Sequence, residues 1–449
     1  MNIPAITEKL SIKMKLGYGI GDLAFNLLIN ATSVYLLFFY TEIFGITGTA
    51  AGIIFLISKF WNAAIDPFIG AAIDRTKTRW GSKRPYMLFG AIPTAIIFYM
   101  VFAAPELESN LRFMYGLITF LLFNSLFALT NVPYAALTAT MTSDSKERSS
   151  LTGFRMTCGI IGMLLAAVLM KPLVNLFGGG AAGYRVASAI FAVFAVVIIF
   201  ISFSNVREKV TEHHDEQKSV SLNLKALGKN YPFILLVLAF VISAIAVYTI
   251  VMMVNYYFKY NFNNEGMTSA AFGTIFISAI IFIPFWVYVA NKTSKRTAFV
   301  SGLMIFTVTL ISIYFVDNLT ISRLLMILAV SGAGMSAYMF FPWAMVADTV
   351  EYSIWKSGVR QEGFIYGFFV FGLKFAQAVA GFIAGFALDQ VGFVANTTQS
   401  PETLEGIKII MTLIPVGFIS VSIILILFYP INAQMHQKML DDISRKEVS

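Results

Sequence analysis

The chain has 449 residues, 58% of them hydrophobic and 12% charged, with a mean hydropathy of +0.76; a water-soluble domain carries about 25% charged residues, so the composition places this one in a bilayer. Its net charge of +8 would suggest nucleic acid in a soluble protein, but the lysines and arginines are distributed as in a membrane protein, and no nucleic-acid partner is expected. One cysteine, Cys158, excludes a disulfide framework or a cysteine-rich metal site, and three histidines, His213, His214 and His436, all fall in polar segments, so no histidine relay, metal or cofactor is expected within the membrane.

Residues 1–16 contain Lys9, Lys13 and Lys15 but no apolar core ahead of a cleavage site, so this is not a removable signal peptide. Apolar runs sufficient for a membrane helix, about 20 residues each, follow at 17–44, 49–73, 86–104, 111–142, 148–177 and 184–204. After a polar stretch they resume at 232–259, 268–290, 297–316, 320–350, 362–391 and 405–430. With the N-terminus inside, 23 of the 32 lysines and arginines fall in cytoplasmic segments and 6 in external ones, while Lys59, Arg155 and Lys374 stay in the membrane. That asymmetry puts both termini in the cytoplasm of a bacterial inner membrane.

The domains expected are a six-helix bundle over 1–204, a cytoplasmic central loop over 205–230, a second bundle over 231–430 and a cytoplasmic tail over 431–449. Six plus six is the organisation of the major facilitator superfamily, so the expected class is an all-α membrane protein of twelve transmembrane helices. The loop after the second span carries Gly70, Asp74, Arg75, Arg79, Gly81, Lys83 and Arg84, similar to that superfamily's glycine, aspartate and basic-residue motif. The corresponding loop at 291–297 keeps only the basic cluster, and no further repeat between the halves is legible.

Ionisable groups inside a membrane are costly and mark a pathway by default. Asp22, Asn26 and Asn30 recur every four residues on the first span and form one polar face. Lys59, Asn62 and Asp66 do the same on the second. At 1.5 Å per residue, Asp22, Asp66 and Arg155 each lie roughly 10 Å in from the cytoplasmic side, a depth at which they can pair. Asn124, Asn131 and Tyr134 line the fourth span, Tyr338 and Trp343 the tenth, and Tyr366, Lys374 and Gln377 the eleventh. Amides, bases and carboxylates satisfy sugar hydroxyls, and the apolar face of a pyranose stacks on Trp or Tyr. Bland readings stand beside these. An intramembrane Asn ties helices together about as often as it touches a solute, Asp22 with Arg155 can be a fixed ion pair, and Lys59 can simply neutralise Asp66.

The segments GYGIGDLAFN in the first span, KFWNAAIDPFIG and DRTKTRWGSKRP after it, TNVPYAAL in the fourth and WAMVADTVEYSIWKSGVRQEG after the tenth occur in one order along the chain. With Arg155 and Lys374, they resemble the glycoside–pentoside–hexuronide:cation symporters, the family of melibiose permease and the glucuronide and xyloside carriers, from about Leu16 to the tail. The resemblance implies a sugar or glycoside:cation symporter that functions as a monomer in the bilayer. Relative to melibiose permease, the first of two sodium-site acids is Asn62, leaving Asp66, and a threonine of the fourth helix is Ala128. Sugar-binding acids are Asn26 and Asn131, and a tryptophan is Ala135. The pattern is closer to the glucuronide carriers, in which Arg155 and Lys374 would meet an anionic sugar.

The expected substrate contacts are therefore Asp22, Asn26, Asn131, Arg155, Trp343 and Lys374, and the expected coupling residues Asp66, Asn62, Asp22 and Lys59. Protons are favoured over sodium, because a carboxylate buried in an apolar medium can protonate near neutral pH. Two rivals are a lysolipid carrier on the same fold, which requires an apolar cavity rather than Asn-rich faces, and a non-transporting membrane sensor. An enzyme is not expected, because no metal-ligand cluster or nucleophile–base set is legible in the spans.

Overall fold

A computed structural model describes residues 9–142, 144–208, 227–316, 319–358 and 361–448. His213 and His214, Arg360, most of the central loop and the Asp74 side chain lie outside the described residues. Twelve helical segments among the described residues are long and apolar enough to cross a membrane. The first six spans are α1 (Ile12–Phe38), α2 (Gly48–Arg75), α3 (Arg84–Val101), α4 (Ser109–Met141), α5 (Ser145–Leu176) and α6 (Gly180–Asn205). The others are α7 (Tyr231–Tyr256), α8 (Thr268–Lys292), α9 (Lys295–Phe315), α10 (Ile321–Ser357), α11 (Glu362–Gln390) and the pair α12 (Pro401–Met411) and α13 (Leu413–Leu427).

Several starts are written locally. Ser11, Thr47, Asp144, Asn230, Ser294, Thr320 and Ser400 each accept a backbone N–H from the first turn of the helix they cap. The last span breaks at Thr412, three residues before Pro415, which has no N–H to return to the Met411 carbonyl. Two expected boundaries shift. α10 runs on to Ser357 rather than stopping at 350, so Glu351 is helical, and the tail folds into a further helix, α14 (Ala433–Val448).

The chain divides into two compact units, Met1–His214 with Val394–Thr397, and Asp215–Phe393 with Thr398–Ser449. Nothing in the sequence singles out the four residues that join the first unit. Within each unit the same packing recurs. In the first, α1 packs on α5 and α6, α2 on α4, and α3 on α4 and α6. In the second, α7 packs on α11 and on α12 and α13, α8 on α10, and α9 on α10 and α13. Each unit's first helix ends in a π-helical turn, Phe39–Ile43 and Tyr257–Asn261, and each fourth helix carries an internal proline, Pro133 and Pro342. The repeat that the sequence hides is explicit in the packing.

Glu208, just beyond α6, closes the loop between α2 and α3. Its carboxylate accepts the backbone N–H groups of Ser82, Lys83 and Arg84 at 3.0, 2.9 and 3.0 Å, and the Ser82 hydroxyl at 3.0 Å. An anion thus sits where the first N–H groups of α3 are otherwise unsatisfied. Gly81 holds φ +107, and a Cβ there would run into the Glu208 carboxylate. Burial alone pushes the Glu208 carboxyl up, but the backbone donors and Ser82 outweigh it and hold its pKa below the usual glutamate value. A carboxylate with a lowered folded pKa contributes stability above its unfolded pKa, and that contribution is lost as pH falls through the folded value. Glu208→Gln is therefore expected to cost about 1–2 kcal/mol at neutral pH, with the gap from wild type closing toward and below about pH 4. Thermal unfolding across that range checks it; a gap that does not change with pH would reject the carboxylate's role.

Candidate functional site

The polar face of α1 meets α5 in the first unit. The packing is close because α5 presents glycine there: a Cβ on Gly159 would lie 2.5 Å from Asp22 Oδ2 and 2.9 Å from Asn26 Nδ2. The Asp22 carboxylate therefore lies directly over the α5 backbone. Arg155, one turn before Gly159, is close enough to Asp22 and to the Tyr18 hydroxyl to act on both by its charge. Tyr18 is fully buried. Its hydroxyl lies 2.7 Å from Thr138 Oγ1 and 3.3 Å from the Tyr134 carbonyl, while Tyr134 returns its own hydroxyl to the Tyr18 carbonyl at 2.6 Å. The two rings sit 4.9 Å apart. Asp22 and Arg155 are each half-buried, so the charged pair retains access while its aromatic support does not.

Sequence reasoning named Asp22, Asn26, Arg155 and Tyr134 but missed Tyr18 and Thr138. The signal for Tyr18 was present, since it stands four residues before Asp22 on the same face. Thr138 had none, because its place depends on how α4 meets α1.

The asparagines divide. Asn26 Nδ2 donates to the Asp22 carbonyl at 2.9 Å, and Asn30 Nδ2 to the Asn26 carbonyl at 2.9 Å, so both spend a donor on their own helix. Asn62 Nδ2 donates to the Asn124 carbonyl at 3.0 Å and joins α2 to α4. Asn124 is buried and donates to the Phe120 carbonyl. These contacts favour the helix-tying reading for Asn62, whereas the Asn124 side chain bonds within its own helix. Asn131 is half-buried on α4, two residues before Pro133.

On α2, Lys59 is buried with its ammonium 5.5 Å from the centre of the Phe120 ring. Asp66 precedes Pro67, which has no N–H to return to the Ala63 carbonyl. Asp66 is not among the groups that act on Asp22, so the two acids that share a depth occupy different surroundings. Ile69, Ile73 and Ala128 form an apolar cluster between α2 and α4, with Ile65, Tyr86, Leu129 and Val132 packed against it. Ala128 brings no oxygen to that side of α2.

In the second unit, Trp343 on α10 stands edge-on to Phe369 at 4.9 Å, Phe369 stacks on Phe240 at 4.4 Å, and Phe240 on Tyr338 at 5.7 Å. Trp343 is 37% exposed and is the open end of that stack. Lys374 is half-buried on α11, and three residues on, Gln377 Nε2 donates to the Tyr248 hydroxyl at 2.8 Å. Tyr248 is a further contact that the sequence reading did not name.

A family model described as MFS/sugar transport protein matches residues 17–433. The chain belongs to that family. This MFS/sugar transport protein is 31% identical to the isoprimeverose transporter of Lactiplantibacillus pentosus, over 96% of this chain and 91% of that one. It is 28% identical to the glucuronide carrier protein homolog of Escherichia coli K12, over 99% and 98% of the two chains. Among solved structures it is similar to the nucleoside transporter NupG, with a TM-score of 0.64 at 13% identity over 93% and 98%. A bacterial homolog of the human lysosomal transporter Spinster gives 0.67 at 12% over 96% and 97%. Those two likenesses are of fold, and the fold is the major facilitator one. The family and its relatives are transporters, not enzymes, and this chain is a multi-pass secondary transporter.

Proposed function

We propose that the protein is a proton-coupled sugar or glycoside symporter of a bacterial inner membrane, with both termini cytoplasmic, working by alternating access. The observation that carries this is the α1–α5 cluster, in which a half-buried acid and a half-buried base act on each other above two buried tyrosines. Asp22, Asn26 and Arg155 present acceptors and a forked donor to hydroxyls. Asn131, Trp343 and Lys374 complete the residues assigned to substrate, Trp343 offering a ring edge and face to a pyranose. Asp66 is assigned to the proton, with Asn62 and Lys59 beside it on the helix. A hard cation such as sodium prefers several oxygens, and the Asn62 and Ala128 positions supply no carboxylate or hydroxyl.

A second reading, an anionic sugar as the preferred cargo, is favoured by Arg155 and Lys374 both being cations within spans and by the likeness to a glucuronide carrier protein homolog. One binding screen separates the two, scoring thermal shift with neutral glycosides, pentosides and uronides. Stabilisation by a uronide that disappears in Lys374→Ala establishes the anionic cargo. Stabilisation by neutral glycosides alone, unchanged in Lys374→Ala, removes Lys374 from recognition. No response to any sugar would overturn the substrate class.

A further inference from the structure

No metal is expected within the membrane because the three histidines fall in polar segments, but α14 brings one of them, His436, to two acids of α10. This tail helix lies against the last turns of α10. Trp355 Nε1 donates to Asp442 Oδ2 at 3.0 Å, and His436 Nε2 lies 2.6 Å from Glu351 Oε2 and 3.6 Å from Asp348 Oδ1. Asp348 and Glu351 are three residues apart on α10 and share one face. One ligand atom from each of Asp348, Glu351 and His436 falls within 4.8 Å of the others. Lys295, at the start of α9, places its ammonium 2.6 Å from the same Asp348 oxygen. Two carboxylates are thus met by one fixed positive charge, and a cavity of about 450 Å³ lined by Asn291, Ser294, Asn432 and Gln437 adjoins them.

We propose that Asp348, Glu351 and His436 bind a divalent transition-metal ion of the zinc class, joining α14 to α10. Imidazole nitrogen and carboxylate oxygen are both zinc ligands, and three protein ligands leave a fourth position for a water from the cavity. Calcium and magnesium are hard cations that take oxygen ligands, so the His436 nitrogen disfavours them. With bonds of 2.0–2.1 Å, neighbouring ligand atoms of a tetrahedral ion lie about 3.3 Å apart. The observed 2.6 and 3.6 Å from His436 bracket that spacing, and the two carboxylate oxygens, within 4.8 Å of each other, close to it by a shift of at most about 1.5 Å. Lys295 occupies the cation's place beside Asp348. Its side chain is 41% exposed, so the ammonium can turn into water when the ion enters.

The test uses the full chain in detergent, without a polyhistidine tag and with His213→Gln and His214→Gln, which remove the only other imidazoles. Zinc is titrated by calorimetry and cobalt by its visible absorption. One ion per chain is expected. His436→Gln is expected to lower affinity by at least roughly 10- to 100-fold, the loss typical of disturbing even an outer-shell partner. Lys295→Ala, which removes the competing cation, is expected to raise affinity, an outcome that misfolding cannot produce. Saturable binding that His436→Gln leaves unchanged, or no binding in either the parent or Lys295→Ala, would overturn the site.

Discussion

Arg155→Ala is expected to abolish sugar uptake in membrane vesicles and to lower the unfolding temperature. The guanidinium supplies the positive charge that acts on Asp22 and on the Tyr18 hydroxyl. Because both groups are half-buried, losing one partner costs about 1–3 kcal/mol, between the cost for an exposed and for a buried pair, and that corresponds to roughly a 5- to 100-fold change in an equilibrium or rate. Arg155→Lys restores the charge without the planar fork. It is expected to recover much of the stability and little of the transport. The double variant Asp22→Asn with Arg155→Ala separates the effects: stability returns toward wild type because no unpaired carboxylate remains, whereas uptake stays lost. If Arg155→Ala transports normally, the α1–α5 cluster is structural and the substrate assignment of Asp22 and Arg155 is wrong.

Asp66→Asn is expected to separate binding from coupling. An amide of the same shape cannot carry a proton through the cycle, so accumulation driven by a pH gradient is expected to vanish. Exchange of labelled for unlabelled sugar across vesicles without a gradient is expected to persist, because it asks only that the loaded carrier reorient. Counterflow and gradient-driven uptake measured on the same vesicles check both halves. Uptake by the wild type that is stimulated by sodium and indifferent to the proton gradient would replace the proton with sodium. Gradient-driven accumulation in Asp66→Asn would move the coupling role to another acid, with Asp22 as the first to examine.

Asp22 and Asp66, the two acids these variants probe, stand on helices whose polar faces were legible without coordinates. Asp22, Asn26 and Asn30 at steps of four, and Lys59, Asn62 and Asp66 at steps of three and four, share faces by helical geometry alone. What a face meets was not legible. Asp22 and Asp66 looked like neighbours because depth in the membrane was the only coordinate available, yet Asp22 is shaped by Arg155 and Asn26 instead. Asn30 and Asn124 carried even readings, and the structure has each donating to a carbonyl of its own helix, while Asn62 donates across to the Asn124 carbonyl.

Length, hydropathy and the placement of lysine and arginine determined twelve spans, because the bilayer imposes a fixed apolar length on each helix irrespective of its neighbours. Local side-chain chemistry likewise determined the capped helix starts, since Ser, Thr, Asp or Asn bonds to an N–H only two or three residues on. The tertiary structure alone decided the shared packing order of the two units, the Tyr18–Tyr134 support beneath Arg155, the Glu208 clasp on α3 and the meeting of His436 with Glu351. Each of these joins residues distant in the chain, as far as 126 apart for Ser82 and Glu208 and 85 for Glu351 and His436. Such contacts depend on each helix's rotation about its axis and on close approach at residues such as Gly159, quantities set by side-chain packing between helices and carried by no local periodicity.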